Sequence, residues 1–199
     1  MKVARTIGLL LAAALSVGRA AADERRTFSA SVDGKPAGSF VMESRSLADG
    51  KQSVRVVADV SVRVLFVKHV YRLRATEIWR GGDLVSLDSV ANDDGKHSKA
   101  QIRDRKGVLT TTGWRAPDGA QEMTAFEVED GNEIAVRTES LSPADFELDS
   151  RKITARRYRV RGKDLDAIWW YDAQGRPLRQ EMVWDGHKVV LLLASTTPL

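Results

Sequence analysis

From Val54 to Phe66 the even positions are Val54, Val56, Ala58, Val60, Val62, Val64 and Phe66, all apolar. The odd positions between them include Arg55, Asp59, Ser61 and Arg63. Successive side chains of an extended strand point to opposite sides, so this period of two puts one apolar and one charged face on a single ribbon. Such a ribbon spans roughly 40 Å at ~3.3 Å per residue, and a strand that long bends or serves two parts of a curved sheet. The phase then inverts: Tyr71, Leu73, Ala75 and Trp79 are apolar at odd positions, with Arg72, Arg74 and Arg80 on the other face. The inversion predicts a tight turn near Lys68-His69 and two antiparallel neighbours, because an odd shift in register moves every later side chain across the sheet.

The rest of the chain is punctuated for hairpins. Asp-Gly occurs at Asp33-Gly34, Asp49-Gly50, Asp94-Gly95, Asp118-Gly119, Asp130-Gly131 and Asp185-Gly186, and this pair suits the positive φ angles of hairpin turns. Alternating segments flank several of them, such as Phe28/Ala30/Val32 with Phe40/Met42, and Met182/Trp184 with Val189/Leu191/Leu193. One helical signal interrupts the pattern. Ser142, Pro143 and Asp145 resemble an N-cap, a first helical proline and an acidic first turn, with Leu141 and Phe146 placed as a hydrophobic staple. A short helix near 143–149 is therefore expected. The fold class is all-β and mainly antiparallel: a curved meander closing into a barrel, a half-barrel or a sandwich, since large twisted sheets curl.

The first 22 residues read as an export signal. Lys2 and Arg5 form a basic start, Ile7 to Val17 is apolar, and Ala20-Ala21-Ala22 offers a cleavage site before Asp23. The apolar run is shorter than the ~20 residues a membrane-spanning helix requires. Residues 23–199 are then expected to form one domain in the periplasm, not membrane-spanning after cleavage. Loss of Lys2, Arg5 and Arg19 lowers the basic count from 31 to 28 against 27 acids, so the net charge falls from +4 to +1. A nucleic-acid partner would call for a concentrated basic face. The arginines between Arg151 and Arg161 instead lie in a strand-like pattern and read as a solvated face. The chain has no cysteine, which removes disulfides, thiol nucleophiles and thiolate metal sites.

No G-x-S-x-G, H-E-x-x-H, phosphate-binding loop or dinucleotide fingerprint is present. His69, His97 and His187 lie at or beside turns, and Asn92-Asp93-Asp94-Gly95 lacks the carboxylates a calcium loop needs at its ends. No catalytic residue, metal site or cofactor is assigned. Glu77 stands out because it occupies the apolar phase of its strand, between Ala75 and Trp79. A carboxylate there needs a partner or a proton. It reads either as a polar anchor in a ligand cavity or as one half of an internal ion pair. Trp79, Trp114, Trp169, Trp170, Trp184 and Tyr171 supply aromatic surface for a pocket or a core, and Trp169-Trp170 must place adjacent rings on opposite faces of one strand.

Glu77-Ile78-Trp79, Ser86-Leu87-Asp88-Ser89 and Asn92-Asp93-Asp94-Gly95-Lys96, together with Ala155, Tyr158 and Trp170-Tyr171-Asp172, resemble a bacterial exported family, domain of unknown function 6134. The resemblance implies a β-rich exported protein and brings no assigned chemistry. It directs attention to Glu77, Trp79, Asp88 and Asp93. The candidate ligand-binding residues are Glu77, Trp79, Tyr71, Asp88, Trp170 and Tyr171. The expected function is non-enzymatic binding of a hydrophobic or lipid-like molecule within a curved β-sheet. The alternatives are an interaction or scaffold module for an envelope protein, a carboxylate-based enzyme, or a small outer-membrane barrel.

Overall fold

The computed structural model describes residues 23–64 and 67–199. The expected export signal and Phe66 lie outside the described residues. Thirteen strands form one sheet. The first six are β1 (Glu24–Val32), β2 (Lys35–Ser46), β3 (Lys51–Val64), β4 (Val67–Arg80), β5 (Asp83–Asp93) and β6 (Lys96–Arg105). Then follow β7 (Val108–Thr110), β8 (Glu122–Phe126), β9 (Glu133–Leu148), β10 (Arg151–Arg161), β11 (Asp166–Tyr171), β12 (Pro177–Trp184) and β13 (His187–Pro198). Their spatial order is β6-β5-β4-β3-β2-β1-β13-β12-β11-β10-β9-β8-β7. All neighbours are antiparallel except β7 and β8.

This order makes a nearly closed barrel. The two ends of the sheet, β6 and β7, are consecutive in the chain and separated only by Lys106-Gly107. A sheet whose ends are tied by so short a link must roll up. Side chains close the seam: the Arg105 guanidinium lies 5.9 Å from the Phe126 ring centre, and Gly131 packs against Ala100.

The long alternating segment is β3. It pairs with β4 from Val64↔Val67 to Lys51↔Arg80, so even residues of one strand face odd residues of the other. This register is the source of the phase inversion. The ladder runs up to Val64↔Val67, so Lys68 and His69, where the turn was expected, are already part of β4. Val54, Val56, Ala58, Leu73, Ala75 and Trp79 point inward and are buried. Arg55, Arg72 and Arg74 point outward. An apolar inside with a charged outside is the reverse of an outer-membrane barrel, which faces lipid with its apolar side.

The helix expected near 143–149 is not formed; these residues belong to β9 and its turn into β10. Ala144 pairs with Ala155 and Leu141 with Arg157, so Ser142 and Pro143 together oppose Arg156 alone. That is a β-bulge. Proline has no N–H to offer a ladder and is accommodated at bulges and edges. The pairing of β8 with β9 ends at Arg137, which leaves this half of β9 with an open side. Phe146 is buried through strand geometry, opposite Ile153, and not through a helical staple.

Three Asp-Gly pairs make two-residue hairpin turns with both residues at positive φ: Asp33-Gly34, Asp94-Gly95 and Asp185-Gly186. Two of these aspartates perform the same further task. Asp33 accepts from Lys188 N at 2.9 Å and sits 2.7 Å from His187 Nδ1. Asp94 accepts from Val70 N at 2.5 Å and sits 2.6 Å from His69 Nδ1. Each hairpin tip is thereby fastened to the adjoining strand.

The inward–outward division is directly measurable on β5. Leu87 is 0% exposed and Val90 is 48% exposed. Leu87→Ala should cost about 2–5 kcal/mol through lost burial and the cavity left behind. Val90→Ala, on the other face, should cost less than about 0.5 kcal/mol. Urea denaturation of the two variants checks the assignment of faces.

Candidate functional site: the filled interior of the barrel

Glu77 lies on β4 between Val54 of β3 and Leu87 of β5, and all three are fully buried. Trp79 Nε1 donates to Glu77 Oε2 at 2.8 Å, and the Thr112 hydroxyl donates to Oε1 at 2.8 Å. Thr110 and Thr112 share a hydroxyl–hydroxyl hydrogen bond of 2.9 Å beside them. Among the described residues no basic side chain pairs with Glu77. Burial pushes its carboxyl above the usual range, and the hydrogen bonds from Trp79 and the threonines only partly offset this. The expected internal ion pair is absent there; the group is a buried acid held by neutral donors.

Thr112 belongs to a stretch without strand structure, residues 111–121, whose first half enters the barrel while Asp118, Ala120 and Gln121 are exposed. Thr112 and Trp114 are buried. The opposite wall holds the same stretch. Tyr171 Oη donates to the carbonyls of Gly113 at 3.0 Å and Arg115 at 3.2 Å, and Gln180 Nε2 donates to the carbonyl of Thr112 at 2.6 Å. Arg115 reaches back across to the carbonyl of Gly82. Gly113 has φ 63°, a conformation that favours glycine, and an added Cβ would lie 2.5 Å from Gln180 Nε2, so a methyl there would displace the Gln180 amide.

Between β8 and β9, residues 127–132 turn Val128 into the interior, while Asp130 and Asn132 stay exposed. Ser89 Oγ donates to the carbonyl of Val128, and Tyr71 Oη donates to Glu129 Oε1 at 2.7 Å. Burial and the Glu129 charge both push the Tyr71 hydroxyl above its ordinary pKa.

Four of the six candidates, Glu77, Trp79, Tyr71 and Tyr171, therefore face the interior, and each is engaged with the segments that fill it or with a group that is. The other two lie elsewhere. Asp88 points outward from β5 and pairs with Arg103 at 2.6 Å. Trp170 points away from its buried neighbour Trp169 and lies between its cross-strand partners, 4.9 Å from the Arg157 guanidinium and 5.3 Å from that of Arg179. Asp93, raised by the family resemblance, pairs with Tyr71 in register; partial burial and then the neighbouring Asp94 charge push its carboxyl up.

Sequence reasoning missed Gln180, Thr112 and a buried charge cluster. Arg26 bonds Glu24 at 2.7 Å, Asp172 at 3.4 Å and the Pro177 carbonyl at 2.8 Å. Arg176 bonds Asp172 at 2.8 Å and Glu24 at 3.2 Å. The signal was available for part of this. Gln180 sits in the inward phase between Leu178 and Met182, and Glu24 and Arg26 share a phase with Phe28, Ala30 and Val32. Thr112 had none, because its stretch has no period.

Glu77→Gln should test the buried acid. A folded-state pKa raised by burial means that the stability tied to protonated Glu77 is whole below the ordinary value of 4.5 and declines as pH rises through the raised value. Wild-type stability should fall as pH rises above 4.5, and Glu77→Gln should flatten that slope. Glu77→Ala, which strands the Trp79 and Thr112 donors, should cost about 1–3 kcal/mol for each donor left unpaired. Urea denaturation from about pH 5 to about pH 9 separates the two outcomes.

Comparison with solved structures finds the crystal structure of a beta-barrel-like protein of domain of unknown function DUF1849 from Brucella abortus. The two share 12% identity with a TM-score of 0.62, and the alignment covers 89% of this chain and 98% of the other. At that identity the likeness concerns the fold. No curated protein matches the chain. Residues 28–194 match the family described as "Domain of unknown function (DUF6134)", and the chain belongs to it.

Proposed function

We propose that this is an exported, non-enzymatic binding protein of the periplasm that takes a hydrophobic or lipid-like molecule against the inner wall of its barrel. One observation carries the reading. The segment filling the chamber beside Glu77 contributes no strand there; it is held by a hydrogen bond that Thr112 donates to Glu77 and by those its carbonyls accept from Tyr171 and Gln180. Behind it the wall is apolar, built from Val54, Leu84, Leu87 and Trp79. Movement of residues 112–120 would expose that surface without breaking any strand-to-strand ladder. The apolar leader-like start of the chain supports export.

The test is native mass spectrometry of the mature protein purified from periplasm, with organic extraction of any bound material. An adduct with the mass of one amphiphile is expected. Gly113→Ala, whose methyl would collide with Gln180, should loosen the segment and raise uptake of a fluorescent fatty-acid probe several-fold. Absence of an adduct, together with no probe uptake by wild type or variant, would overturn the reading. A second reading, docking to an envelope protein, draws on exposed Val183, Trp184 and Leu192 on β12 and β13. Crosslinking to a discrete periplasmic partner without any bound amphiphile would favour it.

A further inference from the structure

Strand register lines up the outward side chains of β2 to β6 in rows across the wall. One row runs Val41, Val57, Arg74, Val90, Lys99, and the next runs Ser39, Asp59, Arg72, Asn92, His97. Over these rows the wall is hollowed into an open groove of about 450 Å³, lined by Val57, Val90, Arg72, Arg74, Asn92 and His97. A second hollow toward Lys68 and Gly95 shares Arg72 and Asn92 with it. The volume lies within the range of small-ligand sites, about 300–1,000 Å³.

The lining sets the chemistry of an occupant. Val57 and Val90 leave aliphatic surface open to water in mid-strand, with Arg74 between them in register. Among the described residues the Arg74 side chain makes no ion pair and no hydrogen bond. Arg72 is held only loosely, 3.6 Å from Asp59, with both side chains more than half exposed. The Asn92 side-chain oxygen accepts from Gly95 N, which leaves its amide N–H groups to donate outward. Asp59 is the acid within the groove, and Asp94 at the far end is engaged by His69 and Val70 N. The wider field has the same sign. Residues 51–105 carry 11 basic against 7 acidic residues, one of the seven being the interior Glu77. The rest of residues 23–199 carries 17 against 20. Two guanidinium forks, an amide and an imidazole offer more donors than the two oxygens of a carboxylate can use, whereas a phosphate monoester presents three.

We infer that this groove binds a soluble alkyl phosphate. The phosphate is held by Arg74, Arg72 and the Asn92 amide, and a short alkyl chain lies over Val57 and Val90. The site is on the opposite face of the sheet from the filled interior and does not depend on what the interior binds.

Hexyl phosphate is the probe, titrated into the isotopically labelled mature protein at fixed ionic strength and followed by NMR. The Val57 and Val90 methyls and the Asn92 side-chain amide should shift together. Arg74→Gln should weaken binding tenfold or more, while Arg55→Gln, on the same wall outside the groove, should change it less than twofold. Inorganic phosphate and hexanol should each bind more weakly than hexyl phosphate. Three results would each overturn the assignment: no shifts in the groove, equal losses for Arg74→Gln and Arg55→Gln, or binding confined to vesicles of anionic phospholipid. Glu77→Gln should leave this titration unchanged, so failure here is distinguishable from failure of the interior reading.

Discussion

The ladder between β1 and β13 joins the first and last strands of the described fold, from Glu24↔Pro198 to Val32↔Val189. Every other neighbouring pair in the sheet is consecutive in the chain, so each is local, the antiparallel ones as hairpins and the parallel β7–β8 pair through residues 111–121. β1 to β6 make one meander and β7 to β13 another. Without the terminal ladder they would be two curved halves linked at Lys106-Gly107. With it they become one wall, and the short link forces that wall to close. Such a contact is costly in chain entropy because it spans almost the whole sequence. The buried Glu24–Arg26–Asp172 cluster, joined by the partly exposed Arg176, lies at the end of this joint and ties β1 to the turn before β12. A buried charge cluster adds little net stability, but removing one member leaves the others unpaired. Its placement therefore penalises any arrangement in which β1 pairs elsewhere.

Closure creates an interior that must be filled. Small inward residues on the wall, such as Ala58, Ala75, Ala91 and Ala100, leave room for chain to enter. Residues 112–117 and Val128 occupy that room, on either side of the short strand β8. Irregular backbone inside a core brings carbonyl groups that need donors. Tyr171 and Gln180 supply them from the wall, and Ser89 does so for Val128. The inward polar residues are the counterparts of a non-strand segment inside the barrel. This also accounts for the neutral surroundings of Glu77: its partners are a tryptophan N–H and threonine hydroxyls, which need no countercharge if the acid keeps its proton.

How much was legible follows from the range of each signal. The two faces of β3 and β4 were readable because side-chain alternation is a property of the strand itself. Glu77 was readable as an anomaly against that alternation. Asp88 was not separable from it by motif alone, although its parity on β5 already placed it outside with Arg103. The Ser142–Asp145 pattern was misleading. Its capping chemistry is real in a peptide free to choose, but ladder hydrogen bonds to β10 outweigh one proline-initiated turn, and the bulge at Arg156 absorbs the missing N–H. β4 begins at Val67, ahead of the turn expected at Lys68-His69, because alternation by itself does not mark where one strand stops and its partner starts.

By itself the amino-acid order settled that this is a chain of long amphipathic ribbons joined by Asp-Gly turns, with an acid on the wrong face at Glu77. These are near-neighbour properties, governed by φ/ψ preferences and by which side each Cβ takes. Only the tertiary structure decided that the ribbons close into a barrel through β1 and β13, that Tyr171 and Gln180 meet Thr112 and Gly113, and that Arg72, Arg74 and Asn92 share one outward groove. Those meetings depend on register between strands and on chain that passes through the interior. No period in the sequence records either one, because both are set by the energy of contacts between residues far apart along the chain.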